Sequence, residues 1–370
     1  MAKVSVGMSG GVDSAATAYL LKQAGYETVG VTLRTWESGD GTESRCCEIE
    51  EARKITDVIG IEYHTLNCVS AFEKQVIRPF VQEYLAGRTP NPCIGCNPGI
   101  KWEWMEYMAG VLQADYVATG HYAAVVQLSN GRYTVRKAAH AEKDQTYMLY
   151  RLSQEQLKNT LMPLGGYAKE EVREIARKAG IPVASKPDSQ EICFVPDDDY
   201  AGYIERYVAE VSGKDSGSGE PGADGILQVP GKGAFVDEQG NRLGTHKGIM
   251  HYTVGQRRGL DLPLGYRAYV KEIRPETNEV VIGDNASLFH TDVYCRDMCF
   301  MGLPGLETGE KIRALAKIRY HHKEQPAEIE RISEEKIRIR FDEPVRAVTP
   351  GQSAVFYDEE GCVLGGGIIC

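Results

Sequence analysis

Between residues 1 and 200, short apolar runs alternate with stretches whose apolar positions recur every three or four residues. The runs KVSVG (3–7), TVGVTL (28–33), IEYHTL (61–66) and DYVATG (115–120) read as strands. The periodic stretches 13–25, 48–60, 70–87 and 168–180 read as helices, each closed by a glycine. Strands and helices alternating at this spacing predict a parallel α/β sheet. Residues 122–128 and 132–137, joined through Ser129-Asn130-Gly131, predict a hairpin. The stretch SGKDSGSGEPG (212–222) has the composition of a flexible loop or linker. Beyond it the alternation has a period of two, and from about Tyr269 it is all β, as in a small barrel or sandwich. The boundaries read from this pattern are 1–200 for an α/β domain, 201–268 for a small central domain and 269–370 for the β domain.

Composition narrows the class. The 370 residues are 42% hydrophobic and 25% charged, ordinary for a globular protein. No apolar run approaches bilayer length, and MAKVSVGMSGG is neither a signal nor a transit sequence, so a cytoplasmic enzyme with no membrane partner is expected. Ten cysteines in a reducing compartment are not a disulfide framework. The net charge of −10 argues against indiscriminate nucleic-acid binding, yet residues 311–340 hold nine Lys/Arg against five Glu. Such a strip either holds RNA locally or is a solvated strand face.

Two stretches carry candidate chemistry. GMSGGVDSA (7–15) lies between the first strand and the first helix, where open α/β sheets bind ligands. Gly7, Met8, Ser9, Gly10, Gly11, Val12, Asp13 and Ser14 form a phosphate loop: the glycines allow close approach, the serines offer hydroxyls, and Asp13 is suited to Mg²⁺. It has no lysine, so it is not a Walker A loop, and it lacks the dinucleotide pattern. It matches loops that split ATP between the α and β phosphates; a Ser/Gly helix cap is the plain alternative. The second stretch, TPNPCIGCN (89–97), spaces Cys93 and Cys96 three apart in a proline-stiffened loop. One C-x-x-C is a weak metal signal, no thioredoxin-like context surrounds it, and Cys193 alone reads as a small hydrophobe in a strand.

A resemblance sharpens these readings. GMSGGVDS (7–14), RCCEIEEAR (45–53), TPNPCIGCN with IKW (100–102), ATGHYA (118–123), KDQTYML (143–149), KPDSQEICF (186–194), LGTHKGIMHYTVGQRRGL (243–260) and TPGQSAVFY (349–357) resemble, in order and over essentially the whole chain, the tRNA-specific 2-thiouridylases. The resemblance implies a Rossmann-like ATP-pyrophosphatase domain, a small central domain and a C-terminal β-barrel. It also implies a reaction, in which ATP and Mg²⁺ serve to adenylate the 2-oxygen of a tRNA wobble uridine and sulfur displaces AMP. Cys193 matches the persulfide cysteine and Cys96 the one that releases the sulfur, closing a disulfide with the first. Leu33 and Gly120 match nucleotide contacts, and Asn91, Pro92 and Cys93 match the residues around the target base. His121, Lys143, Asp144, Gln145, Arg319, Tyr320 and Gln352 match tRNA contacts. The expected partners are tRNA and a sulfur donor such as a cysteine desulfurase or relay protein. Cys46 and Cys47 match a recurrent pair with no assigned chemistry.

The chain departs from the better-known members at Cys93, where they carry an aspartate proposed as acid/base. A thiol, pKa near ~8.5, cannot inherit that role from a carboxylate near ~4. Either Cys96 and Cys193 run a persulfide relay beside Cys93, or all three ligate a 4Fe–4S cluster that binds sulfide at its fourth iron; the cluster is slightly preferred. Competing classes are another ATP pyrophosphatase of the synthetase type, and a non-catalytic ATP- and tRNA-binding iron-sulfur sensor. The acidic remainder predicts a tRNA footprint of Lys101, Arg136, Lys137, Lys143 and Lys186.

Overall fold

The computed structural model describes residues 1–36, 48–184, 192–215 and 227–370. Strand β1 (Lys3–Gly7) buries Val4 and Val6 completely and leads into helix α1 (Val12–Gln23). The core side of α1 is built from Val12, Ala15, Ala16, Ala18 and Leu21, and the small alanines let it lie close to the sheet. The next elements are β2 (Glu27–Arg34), α2 (Ile49–Ile59) and β3 (Glu62–Asn67). A long helical segment, α3 (69–85), follows. After it come a second, α4 (92–112), and β4 (Tyr116–Ala118). The hairpin β5 (Ala123–Gln127) and β6 (Tyr133–Lys137) precedes β7 (Thr160–Leu161), α5 (Lys169–Lys178) and α6 (Tyr200–Asp215). Strands pair in parallel in the order β3-β2-β1-β4-β7, so the chain changes direction across the sheet between β1 and β4. A doubly wound sheet opens its ligand crevice at that point.

The β half contains two bodies. Strands β8 (Gly233–Val236), β9 (Arg242–His246), β10 (Tyr269–Arg274) and β11 (Glu279–Gly283) form one sheet in the order β10-β11-β8-β9. The remaining six are β12 (Phe289–Phe300), β13 (Lys311–Lys317), β14 (Gln325–Arg331), β15 (Ile337–Arg346), β16 (Ser353–Tyr357) and β17 (Val363–Ile369). They close into an antiparallel barrel, β12-β15-β14-β13-β16-β17, around Val293, Ile329, Ile339 and Phe356. The parallel sheet, the small central body and the closed barrel are the architecture the sequence predicts.

Four local expectations are corrected. Residues 269–283, assigned to the barrel by strand spacing, pair with the central sheet, because β11 hydrogen-bonds to β8 in parallel. The loop expected at 92–96 is helix: Pro92 sits at its first position, where the missing N–H costs nothing, and Asn91 caps it by accepting from the Cys93 amide at 3.1 Å. Residues 212–215 belong to α6, so only the later part of the glycine-serine stretch lies outside the described residues. Cys193 sits in a turn closed by the Val195 amide donating to the Ile192 carbonyl at 3.0 Å, not in a strand.

Candidate active site

The crevice between β1 and β4 is lined by the Gly7–Ser14 loop. Gly10 adopts φ +80, a conformation that favours glycine, and a Cβ there would lie 2.9 Å from that of Glu48. Gly11 caps α1 with no side-chain hydrogen bond, leaving the first helical amides available. The loop is braced from within: the Ser9 amide donates to Ser14 Oγ at 3.2 Å, the Gly11 amide to Ser9 Oγ at 3.3 Å, and Ser14 Oγ to the Gly11 carbonyl at 3.0 Å. Such a turn followed by a free helix end fits a phosphate chain. Leu33, at the carboxyl end of β2, packs with Val31 of its own strand and Met105 of α4.

Asp13 is already paired within the protein. Lys169 Nζ, at the start of α5, donates to both its carboxylate oxygens at 2.8 Å, and the Tyr122 hydroxyl donates to one at 2.8 Å. The Lys169 side chain is only 6% exposed. Among the described residues Asp13 Oδ2 accepts only from Lys169 and its side chain is 32% exposed, so the carboxylate keeps acceptor capacity beside that ammonium. The sequence reading missed Lys169 and Tyr122. Its signal was available, since a loop with one acid and no base needs a cation from elsewhere. Gly120 brings β4 against the same turn: a Cβ there would lie 2.8 Å from the Asp13 carbonyl carbon and 2.9 Å from the Ser14 amide nitrogen.

The three cysteines separate into two environments. Cys96 is buried in an apolar cluster with Val76, Phe80 and Phe194, and Cys193 packs against that same cluster. Cys93, one helical turn earlier, is close enough to Tyr320 of the barrel to influence its ionisation. Among the described residues no three Cys, His, Asp or Glu side chains gather as a metal-ligand set. The structure thus describes no preformed ligand trio of Cys93, Cys96 and Cys193. Burial pushes the Cys68 and Cys362 thiols up to about 11 and Cys295 further, so these stay protonated packing groups. Cys46, Cys47 and Lys186 lie outside the described residues.

Most residues matched to tRNA contacts hold the protein's own parts together. The Arg319 guanidinium donates to the carbonyls of Val254 at 2.8 Å and Ala347 at 3.1 Å and also meets the Thr349 hydroxyl, tying the central segment to the barrel. Asp144 is buried, accepts from the Thr146 hydroxyl at 2.8 Å and faces Lys317 Nζ at 3.8 Å. Gln145 Oε1 accepts from the Tyr122 amide at 2.9 Å, steadying the residue that reaches Asp13. Gln352 donates to the Thr89 carbonyl at 2.7 Å and so holds the entry to α4 against the barrel. Tyr320 packs beside Tyr147, with ring centroids 6.2 Å apart. His121 stacks on Trp102 at 5.5 Å, and burial together with Lys101 holds its pKa well below 6.5, so it is neutral. Lys143 lies in a half-buried short turn next to these groups.

Several side chains of the basic strip pair with carboxylates. Arg313 forks onto Asp342 at 2.6 and 2.8 Å, Lys311 pairs with Glu328 at 3.0 Å, Arg340 with Asp292 at 3.1 Å, and Arg338 with Glu330. Lys137 of the predicted footprint pairs with Glu324. These are cross-strand and interdomain ion pairs.

A glycine-rich loop at the switch point of a parallel sheet, joined to a central sheet and a closed barrel, defines a multidomain protein with an α/β domain of the HUP type. Family models describe the same three parts: a tRNA methyl transferase HUP domain over residues 2–197, a tRNA methyl transferase PRC-barrel domain over 225–284, and an aminomethyltransferase beta-barrel domain over 296–369. The tRNA-specific 2-thiouridylase MnmA of Lachnoclostridium phytofermentans is 50% identical, covering 100% of this chain and 99% of that protein. The enzyme of the same name from Clostridioides difficile is 47% identical over 99% of this chain and 98% of its own length. The chain belongs to the tRNA-specific 2-thiouridylase family. Among solved structures, a tRNA thiolase of Methanococcus maripaludis with its 4Fe–4S cluster is 18% identical, with a TM-score of 0.35, over 59% of this chain and 67% of that one. A likeness that loose carries no chemistry across. Among the described residues no helix is long and apolar enough to cross a membrane.

Proposed function

We propose that the chain exchanges the 2-oxygen of the tRNA wobble uridine for sulfur in two steps, using ATP. In the first, the uridine oxygen attacks the α-phosphorus of ATP and pyrophosphate leaves, with the Gly7–Ser14 loop holding the phosphates and Lys169 supplying the cation that the loop lacks. In the second, the terminal sulfur of a Cys193 persulfide attacks C2, and AMP departs with the oxygen. The Cys96 thiolate then attacks Cys193 Sγ; the sulfur stays on the base as 2-thiouridine, and a Cys96–Cys193 disulfide forms. An external thiol reductant restores the pair, and a desulfurase or relay protein reloads the persulfide.

The observation that carries this reading is one apolar cluster, with Cys96 buried in it and Cys193, distant in sequence, packed against it. Desolvation protects a persulfide and an adenylated base from hydrolysis. Mg²⁺ would accompany ATP, and no step above is routed through it or through a cluster. The test is single-turnover analysis of Cys193→Ser. The variant should still release pyrophosphate in the presence of tRNA and ATP while forming no 2-thiouridine. Thiolation by that variant would end the persulfide reading.

A further inference from the structure

A cavity of about 280 Å³ lies between α3, the start of α4 and the barrel, with Asn91, Gly95, Arg151, Arg296, Asp297 and Ser353 among its walls. Its charges are unevenly committed. Glu83, on the α3 side, is already held by a bidentate Arg88 fork with both bonds at 2.6 Å. Arg296 stands 3.9 Å from Glu83 and 3.7 Å from Asp297, beyond hydrogen-bond range of either. The Arg151 guanidinium makes no hydrogen bond or ion pair among the described residues. Once Arg88 has balanced Glu83, two guanidinium groups face one carboxylate, a local positive surplus on a chain of net charge −10. This contrasts with the barrel strip, where the corresponding arginines are paired.

The recess is also placed for a purpose. Asn91 and Gly95 flank Cys93 on the first turn of α4, so the cavity opens within one helical turn of the sulfur-handling cysteines. An RNA strand that presents a base to that turn carries a phosphate on either side of it. Planar guanidinium forks with unsatisfied donors match phosphate oxygens, and a partly enclosed wall strengthens such contacts relative to open water.

We propose that this recess is a phosphodiester subsite, in which Arg151 and Arg296 hold a backbone phosphate of the RNA next to the nucleotide at the Cys93–Cys96 turn. The inference rests on the RNA-thiolating reading above. Binding of a uridine-containing anticodon stem–loop RNA, followed by fluorescence anisotropy across a salt series, tests it on the full chain. Each single-strand phosphate contact contributes about 0.7 to the slope of log Kd against log salt concentration. Arg151→Ala and Arg296→Ala should each flatten the slope by about that amount. Arg151→Lys, which keeps the charge but loses the fork, should keep the slope and weaken binding several-fold. Removing Arg151 strips no internal ion pair, so the two Arg151 variants should melt at the wild-type temperature. Slopes equal to wild type in both alanine variants would overturn the inference. If inorganic phosphate at constant ionic strength then raised the melting temperature of wild type alone, the recess would be a free-anion site instead. Failure of the wild-type protein to bind the RNA would count against the thiolating reading itself, a separate outcome.

Discussion

Replacing Lys169 by Met removes the ammonium that donates to both Asp13 oxygens at 2.8 Å and keeps most of the buried aliphatic stem. Breaking a wholly buried ion pair costs about 3–5 kcal/mol, whereas an exposed pair is worth under about 1 kcal/mol. The Lys169 side chain is 6% exposed and that of Asp13 is 32% exposed, and Asp13 keeps the Tyr122 hydroxyl. The stability loss should therefore fall between those limits, at about 1–2 kcal/mol. For a catalytic domain of this size that lowers the melting temperature by about 2–8 °C. The functional loss should be larger. One charge-assisted hydrogen bond to a phosphate chain is worth about 1.5–3 kcal/mol, which converts to a 10- to 150-fold drop in kcat/KM at about 1.4 kcal/mol per decade. The assay is tRNA-dependent pyrophosphate release, run beside a thermal melt of the same preparation. Release within twofold of wild type, together with the expected fall in melting temperature, would show that Lys169 merely braces Asp13. The reasoning about the missing cation would then be wrong.

Gly120→Ala forces a methyl to within 2.9 Å of backbone that cannot yield, at a cost of about 1–3 kcal/mol; calorimetry should show weakened ATP binding, and unchanged affinity would contradict the close-approach argument. His121, held well below 6.5 by burial and Lys101, is neutral when folded but takes a proton when unfolded near pH 6.5. Its stability contribution is thus intact above pH 6.5 and lost as pH falls. Urea titrations at pH 7.5 and 5.5 should show a loss about 1.4 kcal/mol smaller in His121→Gln than in wild type, and equal losses would refute this assignment. Arg319→Met should lower the melting temperature by severing the bonds to Val254 and Ala347, while leaving the salt dependence of RNA binding as in wild type; a flattened slope would make Arg319 a phosphate contact after all.

Much of the α/β half was legible because its signals are local. Strand and helix periods, terminal glycines and the loop at Gly7–Ser14 need only neighbouring residues, and they fell where the pattern put them. The errors came from choices made at a distance. Nothing in 269–283 distinguishes a barrel strand from a partner of β8, since both alternate with a period of two. Pro92 in TPNPC reads equally as a loop stiffener and as a helix start, and only the Asn91 cap decides. The site was read least well where charges find partners from remote elements. Lys169 is 156 residues from Asp13, and the Arg313 charge is compensated by Asp342 from another strand. A count of basic residues over 311–340 could not foresee that cross-strand pairing. The separation of Cys93 from the Cys96–Cys193 cluster depends on which way one helical turn faces, which spacing alone leaves open.

The central claim is sulfur transfer through Cys96 and Cys193 on an ATP-activated uridine. Its most direct test is nucleoside mass spectrometry of tRNA after anaerobic incubation with ATP, Mg²⁺, a desulfurase-loaded sulfur source and rigorously metal-depleted, iron-free protein. The account predicts 2-thiouridine from the iron-free protein, abolished in both Cys96→Ser and Cys193→Ser and retained in Cys93→Ser. Product that appears only after iron and sulfide are restored, and disappears in all three cysteine variants, would contradict it.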